Sequence, residues 1–248
     1  LVYAGGDTSG MVFYRNRGGQ LGFDAVDLLT DDPGGKFTGS AMIDLNGDYR
    51  REMLLGNLQQ KKLPIYSSNE DGDYYPVATL SMSRNTYGMS FADANHDGYP
   101  EMFLAHWSPG NVLTAPVFWV NNGGAEVEHN DVAAGLSNND LSQTWNFSPQ
   151  FADINADGEL DLLLGADFGT SVVMKGKGEG TFENITDRTI ITDENGMGSA
   201  LGDYDNDGDL DWFVTSIFDP SGEAEANWGV TGNRLYRNNS VRGELILE

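Results

Sequence analysis

The stretch Gly202-Asp203-Tyr204-Asp205-Asn206-Asp207-Gly208-Asp209-Leu210-Asp211-Trp212-Phe213-Val214 constrains the fold more than any other. It sets carboxylates at positions 1, 3, 5 and 9 of a short loop, Gly at position 6, and an apolar run directly afterwards. Two carboxylates ~4 Å apart repel by roughly 4 kcal/mol at an effective dielectric near 20. Crowding Asp203, Asp205, Asp207 and Asp211 into one turn therefore calls for a cation. All-oxygen donors suit a hard divalent ion, Ca²⁺ before others.

The pattern recurs in register. Asp153, Asn155, Asp157, Gly158 and Asp161 form a second copy, and Asp93, Asn95, Asp97, Gly98 and Glu101 a third. Asp44, Asn46, Asp48 and Glu52 form a degraded one, with Tyr49 where the others have Gly. An EF-hand would need flanking helices and a bidentate Glu at loop position 12. That position holds Leu55, Leu104, Leu164 and Val214. The residues after position 9, such as Met53-Leu54-Leu55 and Leu162-Leu163-Leu164, are short apolar runs that predict buried strands. Each acidic loop is therefore expected to be a turn between two strands.

A second landmark follows each loop, an apolar strand with an aromatic residue or Met that ends in an Asn/Gly-rich turn. Its copies are centred on Tyr14, Tyr66, Trp119, Met174 and Tyr236, at spacings of 52, 53, 55 and 62 residues. The acidic loops start at 44, 93, 153 and 203. Two landmarks sharing a period near 50 residues predict an all-β propeller of four-stranded antiparallel blades with Ca²⁺ in its hairpin loops. A single domain is expected over 1–248, with a partial blade at 1–20, repeats at about 21–72, 73–124, 125–180 and 181–240, and a last strand at 243–248. In this frame each repeat begins with the strand after the Gly-rich turn, and the strands flanking the acidic loop come second and third. About five blades are visible. Either the C-terminal strand joins the N-terminal pair and closes a ring, or the chain is a fragment of a longer propeller. The fragment is preferred, since no fourth strand is left for a shared blade. The segments 31–35 and 219–222 are loops by composition.

Lys and Arg total 14 against 38 acids, a formal charge of −24. Thirteen of the acids are the proposed ligands, and up to four Ca²⁺ would bring the charge to −16. So acidic a surface argues against nucleic acid and anionic membranes as partners. The absence of cysteine excludes a disulfide framework, a thiolate metal site and a Cys nucleophile. No apolar run approaches the ~18 residues of a membrane span, and the chain opens at Leu1 without a basic-apolar segment, as expected of a mature or excised piece.

With these residues in view, Gly196 to Asp211 followed by Gly232-Asn233-Arg234-Leu235-Tyr236-Arg237-Asn238-Asn239 resembles the FG-GAP/VCBS repeats of integrin α-like propellers. It is especially similar to the cartilage acidic protein/UnbV group. The resemblance implies a seven-bladed ring, Ca²⁺ in the loops, an extracytoplasmic location (extracellular, cell-surface or periplasmic) and a role in binding or adhesion. The chain departs from it in blade count. It also implies a ligand set of side chains at positions 1, 3, 5 and 9 with the backbone carbonyl of position 7. Those carbonyls would come from Arg50, Tyr99, Glu159 and Asp209. Gly at position 6 allows a left-handed backbone, which costs energy for Tyr49. With Arg50 and Arg51 beside it, the first site is expected to be the weakest.

The expected function is a non-catalytic binding or adhesion module for a protein or glycan ligand, with structural Ca²⁺ and no catalytic residues. Trp107, Trp145 and Trp228 are candidate contacts or, equally, packing residues between blades. The alternative is a Ca²⁺-stabilised propeller lyase or hydrolase acting on polysaccharide, which needs a converging acid and base. Of three histidines, His106 is the best candidate, while His96 and His129 are expected to be exposed.

Overall fold

The computed structural model describes residues 2–4, 11–19, 21–26, 36–58, 61–82, 85–107, 117–123, 127–131, 134–136, 141, 144–219 and 229–248. Among them are eighteen strands, all paired antiparallel, and no helix. The strands form five consecutive sheets in simple sequential order. The first holds β1 (Val2–Ala4), β2 (Met11–Asn16) and β3 (Phe23–Val26). The second holds β4 (Phe37–Ile43), β5 (Glu52–Asn57), β6 (Lys62–Ser68) and β7 (Tyr74–Ser81). The third holds β8 (Gly88–Ala92), β9 (Glu101–Ala105), β10 (Phe118–Asn121) and β11 (Val127–His129). The fourth holds β12 (Trp145–Ala152), β13 (Asp161–Asp167), β14 (Val172–Gly178) and β15 (Thr181–Asn184). The fifth holds β16 (Gly196–Gly202), β17 (Asp211–Ser216) and β18 (Arg234–Tyr236).

These sheets are propeller blades, and each acidic loop joins the first and second strands of its blade. The blade is offset by one strand from the sequence frame. The strand after the Gly-rich turn pairs backward with the aromatic strand, as Ser67 with Tyr75 and Lys175 with Glu183, because a tight turn joins them directly. Neighbouring blades meet through edge strands, β1 on β4, β4 on β8, β8 on β12 and β12 on β16. Backbones come close there. A Cβ on Gly88 would lie 2.0 Å from the Phe147 carbonyl oxygen, so β8 and β12 approach to a distance that only glycine permits.

The apolar runs of the second strands are buried because they serve two cores at once. Side chains alternate across a strand. Met53 and Leu55 pack with Phe13 and Phe37 on one side, while Leu54 packs with Leu45 and Met102 on the other. Phe103 and Leu162 share a core between the third and fourth blades, and Leu163 joins Trp212 and Tyr236 between the fourth and fifth. Each core thus lies between blades rather than within one.

The C-terminal segment sets aside ring closure, the less favoured of the two expectations. Residues 244–248 do not join the N-terminal pair to close a ring. They fold back on the fifth blade, where Asn238 bridges Leu247 and the backbones of Arg237 and Glu248 exchange two hydrogen bonds of 2.9 Å. The segment thereby takes the place that β7, β11 and β15 take in their blades, which is the strand offset again. The outward faces of β17 and β18 leave Phe213 and Leu235 exposed, and that of β2 leaves Val12 and Tyr14 exposed. The loop segments 31–35 and 220–222 and the side chain of Trp228 lie outside the described residues. No helix among the described residues is long and apolar enough to cross a membrane.

Candidate metal centre

All four acidic loops adopt one geometry. The position-1 aspartate draws the turn inward through both of its oxygens. Asp93 accepts the backbone N–H of Asp97 and of Gly98 at 3.0 Å each, and Asp153 and Asp203 make the same pair. Asp44 accepts from Gly47 and Tyr49. The position-5 carboxylates of Asp48, Asp97, Asp157 and Asp207 accept the N–H of Arg50, Tyr99, Glu159 and Asp209. Position 6 is left-handed in every loop, including Tyr49 at φ 67°, as the Gly pattern implied. Position 4 is left-handed as well, at Gly47, His96, Ala156 and Asn206, which only the Gly and the Asn could have suggested.

The position-9 acids are deeper than sequence spacing revealed. Glu52, Glu101, Asp161 and Asp211 are almost wholly buried. One oxygen of each accepts the N–H of loop position 2, at Leu45, Ala94, Ile154 and Tyr204. The other faces the third strand or its end, accepting from the Ser67 hydroxyl, Gly176 N–H or Asn238 N–H in the first, third and fourth loops. Burial, with Asp97 adding its charge, pushes Glu101 up to about 7. Burial, with Asp157 and Asp153 adding theirs, pushes Asp161 up to about 6. Both want a counter-charge, which a divalent cation supplies.

The loops differ in how far the ligand set converges. Asp203, Asp205 and Asp211 bring carboxylate oxygens within 4.8 Å of one another, the one such group among the described residues. Asp205 Oδ1 is buried and has no hydrogen-bond partner. A buried carboxylate oxygen without a donor, beside two others, fits an all-oxygen cation site. Asp207 stands apart from that trio, its Oδ2 3.5 Å from Arg237 Nη2. In the other three loops position 3 is Asn. The Asn95 and Asn155 amides donate to Asp97 and Asp157 at 3.0 and 3.1 Å, so the structure does not bring three carboxylates together there.

A latch between blades went unseen in the sequence. Asn121 donates through Nδ2 to the Leu45 carbonyl, and Asn238 to the Ile154 carbonyl, both at 2.7 Å. The Ala94 carbonyl is taken by the Gly180 N–H. Each of the first three loops is thus pinned by the hairpin of the next blade. The Asn two residues after Trp119 and after Tyr236 was the available signal.

The other candidates sit as follows. His106 is 3% exposed, with Nδ1 2.9 Å from the Asn85 carbonyl oxygen, so it is a core histidine and not a group presented in a cleft. His96 lies 3.0 Å from Glu159 of the neighbouring loop. His129, expected to be merely solvated, pairs at 2.9 Å with Asp131, which is fully buried and accepts the Val117 and Phe118 N–H groups. Trp107 and Trp145 bridge the third and fourth blades and stack edge to face at 5.3 Å, within a cluster that includes Tyr87, Phe147 and Phe168. Trp107 Nε1 donates to Asp167. Packing between blades is therefore one role of both tryptophans.

This repeated loop on a propeller defines the class, and comparison with known proteins agrees. Residues 44–104 and 153–214 match the FG-GAP-like repeat family, so these stretches of the propeller are FG-GAP-like repeats. No curated protein matches it. Among solved structures, the V. cholerae biofilm matrix protein Bap1 aligns at 18% identity and a TM-score of 0.45, over 74% of this chain and 24% of Bap1. A GH43 β-1,3-galactosidase aligns at 10% identity and a TM-score of 0.36, over 97% of this chain and 67% of the enzyme.

Proposed function

We propose that the chain is an extracytoplasmic Ca²⁺-binding propeller that serves as a non-catalytic binding or adhesion module for a protein or glycan. Its cations are structural and sit in the loops 44–52, 93–101, 153–161 and 203–211. The observation that carries this reading is the convergence of Asp203, Asp205 and Asp211, with the buried Asp205 Oδ1 lacking a donor. The ligand side chains are those at positions 1, 3, 5 and 9, completed by the carbonyls of Arg50, Tyr99, Glu159 and Asp209. At ~1 mM free Ca²⁺ and a Kd of ~0.1 mM, each occupied site adds about 1.4 kcal/mol of stability. An ion held at such an affinity is retained outside a cell and released in cytosol, so the location belongs to the same proposal.

The domain boundaries belong to the same proposal, one propeller domain over 1–248. The alternative, a polysaccharide-cleaving enzyme, loses its best acid–base candidate because His106 is buried. Thermal melting with and without EGTA, followed by a Ca²⁺ titration, tests the metal. An unchanged melting temperature would refute the metal-stapled reading. Retention on immobilised glycans without turnover tests the module.

A further inference from the structure

The fourth loop differs from the other three at position 3, and the difference has a partner. Asp205 stands where the others carry Asn46, Asn95 and Asn155. Arg237, the residue after the third-strand Tyr236, places Nη2 2.9 Å from Asp205 Oδ2 and 3.5 Å from Asp207 Oδ2. The corresponding residue of the fourth blade is Lys175, after Met174, with Nζ 3.6 Å from Asp157 Oδ2. In the second blade it is Ser67, whose hydroxyl donates to Glu52, and in the third it is Val120. The correspondence is structural, since Tyr66, Trp119, Met174 and Tyr236 pair with Met53, Met102, Leu162 and Trp212, each directly after position 9 of its loop.

The Arg237 pair is incomplete. Its Nε and the Asp205 Oδ1 are both buried, and neither has a partner. Structural Arg–carboxylate pairs are frequently bidentate, with two parallel bonds that leave neither partner's atoms unmet. Here one nitrogen, Nη2, rests on the Oδ2 atoms of two carboxylates and leaves Asp205 Oδ1 without a partner, while Asp205 also converges with Asp203 and Asp211.

We propose that Arg237 is a resident counter-ion of the fourth loop. It holds Asp205 and Asp207 together when no metal is bound and opposes a divalent cation when one arrives. Lys175 acts in the same way, more weakly, on the third loop. The loop richest in carboxylates is therefore not free to turn its extra charge into affinity. The loop at 93–101, with Val120 at the equivalent place, depends on the cation most. This inference rests on the Ca²⁺ reading of the loops.

Isothermal titration of Ca²⁺ into metal-free protein, with melting in EGTA, tests it on the wild type, R237Q and K175Q. A D203N variant identifies which binding event belongs to the fourth loop. A positive charge within a few ångströms of the ion weakens binding by roughly tenfold. R237Q is expected to tighten the fourth-loop event by about that factor and to lower the melting temperature in EGTA. It also widens the gain on adding Ca²⁺. K175Q is expected to do the same to a different event, by less. Unchanged or weaker fourth-loop affinity in R237Q overturns the proposal. Should R237Q not fold, R237M, which keeps an apolar stem and removes the charge, is expected to bind the ion more tightly than wild type, and equal affinity overturns the proposal. No Ca²⁺ binding by the wild type overturns the Ca²⁺ reading and this inference together. Binding that is indifferent to position 237 overturns this inference alone.

Discussion

Tyr49 shows at a single residue how a repeat carries a defect. Its backbone is left-handed at φ 67°, as glycine is in the other loops, and its side chain is 97% exposed. A left-handed non-glycine residue costs about 1–2 kcal/mol, and glycine gives back part of that through its greater freedom in the unfolded chain. Tyr49→Gly removes no buried contact and is expected to stabilise the protein by about 0.5–1 kcal/mol, a rise of ~1–4 °C at this size. A melting temperature below wild type would show that the ring has a role the exposure does not reveal. Asn121 is the opposite case, a residue with no side-chain surface in water. Its amide is the partner that the Leu45 carbonyl finds in the next blade. Asn121→Ala leaves that buried acceptor unmet and is expected to cost about 1–3 kcal/mol in chemical denaturation. Asn121→Asp, which swaps the donor for a charge, is expected to cost more.

The strand is the scale at which the sequence was most legible. Runs such as Met53-Leu54-Leu55 and Met102-Phe103-Leu104 reported burial on two faces, and the structure resolves them into alternate contributions to two inter-blade cores. The loops were legible because carboxylate crowding has so few solutions. Blade grouping was less so, since the period is the same wherever the count begins. Only pairing across the Gly-rich turn fixes which strand opens a blade. The depth of Glu52 and Asp211 was hidden because an acid at a loop's end looks exposed until the N–H groups that receive it are placed. The same alternation makes a prediction on one strand position. Phe103 and Phe213 are both the second apolar residue after loop position 9, but Phe103 is fully buried and Phe213 is 36% exposed. Phe103→Ala is expected to cost about 3–5 kcal/mol, and Phe213→Ala less than about half of that. Equal losses in urea melts would mean that the outer face of β17 is covered in solution.

Across the whole molecule, charge and cation binding act on one balance, and pH separates them. Without metal, Glu101 and Asp161 are protonated up to about pH 7 and about 6 in the folded chain. Their ordinary values are 4.5 and 3.8, so between those limits the folded state binds more protons than the unfolded one. Stability linked to these groups is therefore present at low pH and is lost as pH rises through their folded values. Repulsion among the remaining acids of a chain with formal charge −24 acts in the same direction. In EGTA the melting temperature is expected to fall as pH rises from about 5 to about 7. Ca²⁺ inverts the linkage, because ligand carboxylates must be ionised to bind it. In saturating Ca²⁺ the same pH range is expected to show a flat or rising melting temperature, so the gain from Ca²⁺ is larger at pH 7 than at pH 5. Parallel pH profiles with and without the ion would mean that these buried acids titrate independently of it. The position-9 carboxylates would then be staples between loop and strand, and the cation would have to be held by positions 1, 3 and 5 without them.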